Sequence, residues 1–465
     1  MKNVRFFLIV IFLIIFFLFF LSSESTNFFY EIVKDFNILS KIEKLNNFII
    51  FYRNYEQVKQ RYFIYGYDSE ADKNYGFSPS NEFITTPPFF NDSRTAFAYG
   101  ALYQGNDFVW YKDFKNNIAY KILYSISGKL SLLSLDKSHK NIIVGFDYLA
   151  PQQFLYISGV KEFYTYPLTS YPNIIETGFT YDEKYVYIIF KYENLFNCDI
   201  LSLSEDPYHS SSYKPTVTKI FSNADEILFS NSNAIIIKEK DQYIFYDLKD
   251  YTKNKIESLS IIKDKNNDKN AIFLINGLIF NTDFEKVTID SENKYIDLKL
   301  LTNYLKIGKN VFYSDDFLIV KDENSSFYIF EYIRTQKEFK YITTIGKDTK
   351  NFNLVASGEI ILINKFEDKL LFLVYDSLVS TNSISILLFK KDEGKIDSLY
   401  QDNIYKIKKA LNSKNGFAFL VMKAYTKGIF QELYFYSFSL KSIVKISGWE
   451  NVLDTELDLL KRKLD

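Results

Sequence analysis

The side chains of this 465-residue chain that could do chemistry are few and scattered. Histidine occurs only at His139 and His209, and cysteine only at Cys198. The clustered nitrogen and sulfur donors of a zinc site cannot be assembled from them. The sequence has no Gly-x-Ser-x-Gly elbow, Gly-x-Gly-x-x-Gly fingerprint or phosphate loop. Acyl transfer, dinucleotide binding and nucleoside-triphosphate chemistry are thus left without their usual local signatures. Asp264, Asn266, Asp268 and Asn270 alternate like the opening of a calcium loop, but Lys269 and Ile275 stand where such a loop needs Gly and Glu. That stretch reads instead as a solvated connection between strands. The paired carboxylates of a glycosidase are defined by spatial separation, which 57 acidic residues in one sequence do not select. No catalytic, cofactor-binding or metal-ligating residue is therefore assigned. Cys198 reads as a small buried apolar residue that can form no internal disulfide.

Where the chain sits is more legible. Lys2 and Arg5 precede an unbroken apolar run from Phe6 to Leu21, followed by Ser22, Ser23, Glu24 and Ser25. Sixteen apolar residues as a helix would span roughly 24 Å, between a secretory signal and a full bilayer crossing of about 30 Å. The basic leading side favours an inside N-terminus with the rest of the chain exported, either anchored through residues 6–21 or released after a cut near Ser25. The formal net charge is −1. So balanced a chain has no field to hold phosphate backbones, and nucleic acid is not expected as a partner. Lys406, Lys408 and Lys409 read as a solvated strand edge.

The elements that would position any site are short apolar runs in pairs. Tyr and Phe together number 84 residues, and aromatic and β-branched residues favour half-buried pleated surfaces. Runs such as Phe48–Tyr52 with Arg61–Tyr67, Tyr185–Tyr192 with Cys198–Ser204, and Gly416–Tyr425 with Glu432–Leu440 are strand-sized and bounded by turn residues. Nine such pairs start between Phe48 and Gly416, an average of roughly 46 residues apart, close to the period of propeller blades. The stretch Phe179-Thr180-Tyr181-Asp182-Glu183-Lys184-Tyr185-Val186 resembles a loop common in β-propeller proteins, with echoes at Phe229–Asn233 and Leu411–Gly416. The resemblance is to the superfold alone, since neither a Trp-Asp dipeptide nor a double glycine recurs. Two tryptophans are too few for the pattern of quinone-binding propellers. It implies an all-β propeller of seven or eight blades, in which hairpins too weak alone bury their faces on neighbours.

The expected organisation is a signal or anchor over 1–25, a lead-in segment over 26–47, the propeller over 48–445 and a C-terminal helix over 446–465. In the lead-in, Phe28, Ile32, Phe36, Leu39, Ile42 and Leu45 recur at helical spacing, with a strand as the rival. In the tail, Ser447 and Glu450 suit a capping box, and Trp449, Leu453, Leu457, Leu460 and Leu464 form one stripe. Thr86-Pro87-Pro88-Phe89-Phe90 is a stiff loop that reads as an inter-blade connection or, less simply, a contact surface. The functional expectation is a non-enzymatic propeller of the cell envelope that binds or scaffolds another protein. The alternatives are an exported hydrolase with carboxylates of raised pKa in the propeller mouth, and an outer-membrane β-barrel.

Overall fold

Antiparallel meanders of four strands follow one another along the chain in the computed structural model. The described residues comprise strands and two helices between residues 30 and 459, with side chains described chiefly over 171–446. Residues 1–29, 34–48 and 460–465 and several connecting turns lie outside them, as do His139 and His209. The described strands fall into eight sheets. Seven have four strands or six; the eighth joins the meanders 259–289 and 311–345 through a parallel pairing, Thr288 with Glu338 and Ile289 with Phe339. This is a β-propeller fold class, the radial meander being its repeating unit. Separate four-stranded sheets are not the single closed wall of a membrane barrel.

The chain divides into two compact units, Met1–Lys44 with Ser78–Ser170 and Leu45–Phe77 with Tyr171–Asp465. The first holds a six-stranded sheet built around Ala96–Tyr103, Asn106–Asp113 and Ile118–Tyr124, and a meander over 129–167. The second holds the meanders over 174–224, 226–256, 259–289, 311–345, 359–404 and 406–445, and a sheet made from both ends of the unit. In the latter, Leu457–Leu459 pairs with Ile49–Glu56, which pairs with Arg61–Asp68 and then Lys73–Gly76.

Strand alternation explains why these meanders stack. In Lys369–Ser377 the residues Leu370, Phe372 and Val374 enter one core, shared with Ile319, Phe327 and Ile329 of the preceding meander. Leu371 and Leu373 point the other way, into a core shared with Phe417, Phe419 and Val421 of the following one. Each fully buried Leu or Phe stabilises the fold by about 1.5–3 kcal/mol, so each sheet depends on a neighbour on both faces. Ala234–Ile237 behaves alike, all four residues being buried.

Two local devices repeat. A bulge interrupts the first strand at corresponding places in four meanders, leaving Ile175, Leu228, Ile361 and Lys408 out of register with the second strand. Such a bulge bends the strand and sharpens its twist. The second and third strands are joined by two-residue turns at Glu193-Asn194, Lys240-Asp241 and Asn276-Gly277, all with positive φ, the type I′ geometry that matches strand twist.

The propeller-like loops of the sequence all fall between first and second strands, and they tie successive meanders together. Thr180 Oγ1 donates to Asp182 at 2.7 Å, and the Tyr251 phenol of the next meander reaches the same carboxylate at 3.4 Å. Asn231 and Asn233 donate through Nδ2 to the Thr282 carbonyl and to Asp283, at 3.0 and 3.1 Å. At 406–445 the equivalent residue Asn412 donates to the Ile363 carbonyl at 2.8 Å. Burial, together with the Asp182 charge, pushes the Tyr251 phenol up to about 12, so it remains a donor.

Both terminal expectations are corrected where residues are described. Tyr30–Val33 in the lead-in is a strand on the free edge of Ile118–Tyr124, not a helix turn. Leu457–Leu459 in the tail is a strand on the edge of Ile49–Glu56, not part of a helical stripe. In each case an open sheet edge offers backbone partners that outweigh a modest helical preference. Phe89–Phe90 forms a two-residue strand on Ala96–Tyr103, consistent with a connection inside the array. The apolar run 6–21 lies outside the described residues, and among those described no helix is long and apolar enough to cross a membrane.

Close approach also fixes one glycine. A Cβ on Gly416 would run into the Tyr436 carbonyl oxygen and the Phe435 ring, whereas one on Gly277 would meet open space but sit at φ +80. Gly416→Ala is expected to lower the denaturation midpoint by the equivalent of about 2–3 kcal/mol, and Gly277→Ala by about 1 kcal/mol. Chemical denaturation of the two variants checks the order.

Candidate functional site

At the end of Gly416–Tyr425 the sequence turns from Phe-Ala-Phe-Leu-Val to Met-Lys-Ala-Tyr, and alternation decides which side chains share a face. Val421 lies opposite Glu432 and Tyr434 opposite Lys445, so Lys423, Tyr425, Glu432, Tyr434 and Lys445 project from one side of the sheet. That side faces the preceding meander, whose last strand Lys395–Ile404 adds Tyr400 and Asp402. The hairpin Tyr425–Gly428 and the connection at Tyr405 mark the same end of the two sheets.

Glu432 is fully buried at this end. Lys445 Nζ lies 2.6 Å from its Oε1, the Tyr425 phenol donates to Oε1 at 2.8 Å and the Tyr434 phenol donates to Oε2. Lys423 stands 3.7 Å from Oε2, contacts Asp402 directly, donates to Tyr434 at 3.0 Å and lies 4.9 Å over that ring. Tyr400 completes the network by donating to Asp402 at 2.7 Å. Two carboxylates thus face two ammonium groups, and the cluster is neutral as a unit.

Burial alone would push the Glu432 carboxyl up, but the hydrogen bonds from Lys445, Tyr434 and Tyr425 outweigh it and hold it below the usual carboxylate range. Burial and the adjacent carboxylates push the Tyr434 and Tyr400 phenols far above the ordinary tyrosine range. The glutamate therefore stays an anion and the phenols stay donors, an arrangement that fixes geometry rather than relays protons.

One meander earlier, at the same end, a cavity of about 260 Å³ opens between the inner strands of 311–345 and 359–404. Phe312, Ile319, Phe327 and Ile360 line its apolar part, and Lys321 and Glu359 line it as charged groups. The hydrolase alternative calls for converging carboxyls of raised pKa. Among the described carboxyls only Asp199 is displaced upward, by burial, while Glu285, Asp397 and Glu432 are displaced downward. Cys198 is fully buried as expected, and burial pushes its thiol well up, which keeps it unreactive. Asp264 departs from the solvated reading: it is buried and accepts from Asn270 at 3.2 Å. Lys406 and Lys408 lie exposed on a strand paired along one side only, as the sequence suggests. Nothing in sequence spacing brings residues 402, 423, 432 and 445 together. The available signal is a charge at an inward position of two otherwise apolar strands, Lys423 and Glu432.

No protein-family model and no curated protein sequence matches the chain. Among solved structures it is similar to TolB from Acinetobacter baumannii, with 11% identity, a TM-score of 0.29, and 52% of this chain and 63% of that chain covered. It is also similar to the dihydro-heme d1 dehydrogenase NirN, with 11% identity, a TM-score of 0.38 and coverage of 88% and 75%. A third is the β-propeller domain of the trilobed protease from Pyrococcus furiosus, with 10% identity, a TM-score of 0.33 and coverage of 80% and 100%. The strand order described above carries the fold class by itself.

The Glu432 network makes an acid-linked prediction. A carboxyl whose folded pKa lies below its unfolded value of about 4.5 contributes stability above that pH and loses it as pH falls through the folded value. Glu432→Gln is expected to cost about 3 kcal/mol at neutral pH, because it leaves two lysines without their buried partner. The gap between wild type and variant should narrow below pH 4.5, read as denaturation midpoints across an acid series. A gap independent of pH would assign the loss to packing.

Proposed function

We propose that the chain is an exported or membrane-anchored propeller module of the cell envelope that binds another protein. The observation that carries this reading is a group of exposed side chains around the Glu432 network: Tyr405 at 52%, Tyr425 at 45% and Ile429 at 44% exposure. Tyrosine offers a large apolar ring with a polar tip and little rotamer freedom to lose, which suits the centre of a protein interface. Tyr425 is already held by its bond to Glu432, and Tyr405 by its backbone bond to the Met422 carbonyl at 2.8 Å. Such preorganisation lowers the cost of binding. The charges beside them are satisfied within the network, so a partner need not supply counter-charges. The location rests on the sequence of residues 1–25, with Lys2 and Arg5 ahead of the apolar run.

The test is affinity purification of the tagged full chain from detergent-solubilised envelopes. A reproducible partner is expected, and Tyr405→Ala with Tyr425→Ala should reduce its recovery about tenfold or more, the loss of roughly 2 kcal/mol at a central aromatic contact. N-terminal sequencing of the recovered chain distinguishes anchor from cleaved signal. Recovery of the intact chain in the cytosolic fraction would overturn the location, and unchanged capture by the double variant would overturn the surface.

A further inference from the structure

We propose that the cavity between the 311–345 and 359–404 meanders is a small-molecule site for a free α-amino acid with an apolar side chain. This goes beyond the protein-binding reading and stands without it. The cavity is built by elements that the repeat fixes independently. Phe312 and Ile319 are cross-strand partners on Val311–Ser314 and Phe317–Lys321. Phe327 opens the third strand opposite Lys321, and Ile360 belongs to the first strand of the next meander. Ile319, Phe327 and Ile360 are buried and belong to one core, and Phe312 packs against it. The apolar lining is thus the unfilled end of a packed interface, held by the sheets on either side.

The charged residues give the site its chemical direction. Lys321 and Glu359 line the same small cavity, one from each meander. Lys321 carries its ammonium 5.2 Å over the Phe327 ring, at the boundary of the apolar lining. Glu359 is exposed, and a carboxylate has about four lone-pair sites, so it can accept a ligand ammonium alongside its protein contacts. A volume of about 260 Å³ falls below the roughly 300–1,000 Å³ of drug-sized pockets. It suits a body the size of one amino acid. A ligand matching all three features has a carboxylate for Lys321, an ammonium for Glu359 and an apolar side chain for the lining. A peptide end supplies only one of the two charges, which is why the free zwitterion is the occupant inferred.

The experiment titrates the detergent-solubilised full chain with L-leucine and L-phenylalanine by calorimetry. The controls are phenethylamine, which lacks the carboxylate, 3-phenylpropionate, which lacks the ammonium, and N-acetyl-L-phenylalanine, which imitates a peptide C-terminus. Saturable binding of the amino acids is expected, with each control weaker by about tenfold or more, the cost of one lost charged hydrogen bond. Lys321→Gln should remove the preference for L-phenylalanine over phenethylamine, and Glu359→Gln the preference over 3-phenylpropionate. Both substitutions lie at the cavity mouth, and an unchanged denaturation midpoint confirms that each variant is folded. Failure of both amino acids to saturate at about 10 mM, variants that bind like the wild type, or N-acetyl-L-phenylalanine binding as tightly as the free amino acid would each overturn the proposal. The last result would point to a partner's C-terminus instead.

Discussion

Burial on both faces of every sheet is the constraint on which the second unit depends. A strand such as Lys369–Ser377 sends Leu370, Phe372 and Val374 into one core and Leu371 and Leu373 into another. A sheet of this kind has no side for water. It must be sandwiched, and its neighbours must be sandwiched in turn, which turns a string of hairpins into an array. The turn-to-turn bonds at Asp182, Asn231, Asn233 and Asn412 contribute less energy than the cores, about 1 kcal/mol each, but they are directional. Apolar faces alone tolerate sliding; fixed donors and acceptors at one end of each sheet set the register between sheets.

The same constraint explains where a site can be. Between two buried faces there is little room for polar groups, so they collect where the sheets end. The Glu432 network and the cavity at Lys321 and Glu359 both occur at the ends carrying the second-to-third turns and the inter-meander connections. Glu432 is unusual in being fully buried, and a buried carboxylate persists only with its partners in place. Replacing the group by apolar residues of equal volume could be as stable. The retained charges therefore serve geometry: they orient Tyr425 and Tyr434 at the edge of a core that would otherwise leave both rings free to turn.

How much of this the sequence discloses varies with the range of the interaction. The nine paired runs correspond to antiparallel hairpins, including the pair around Gly277, where a single Asn-Gly sets the turn. Paired runs report local alternation, and alternation survives folding. The loops at Thr180–Asp182, Ser230–Asn233 and Asn412–Asn415 are recognisable as equivalent by residue type and are so placed in the fold. The edge pairings of Tyr30–Val33 and Leu457–Leu459 escape such a reading, because each segment looks helical in isolation and becomes a strand through a partner about 90 or 400 residues away. The parallel junction of Lys286–Ile289 with Glu338–Ile345 is equally hidden, since two residues of contact leave no pattern.

The candidate site is less legible than the fold, for a related reason. Asp402, Lys423, Glu432 and Lys445 lie on four strands of two sheets, and their meeting depends on strand register and the order of sheets together. A sequence offers only the anomaly of a charge at an inward position. At Asp264 the same anomaly is masked by the acidic alternation around it, and a residue that reads as solvated is buried against Asn270. The two cases share one physical signature. A charge that alternation points inward must find a partner inside, because leaving it unpaired costs more than most single contacts contribute. Applied along the whole repeat, that rule singles out Lys423, Glu432 and Asp264 from the alternation of their own strands; their partners become visible only when neighbouring strands are brought into register.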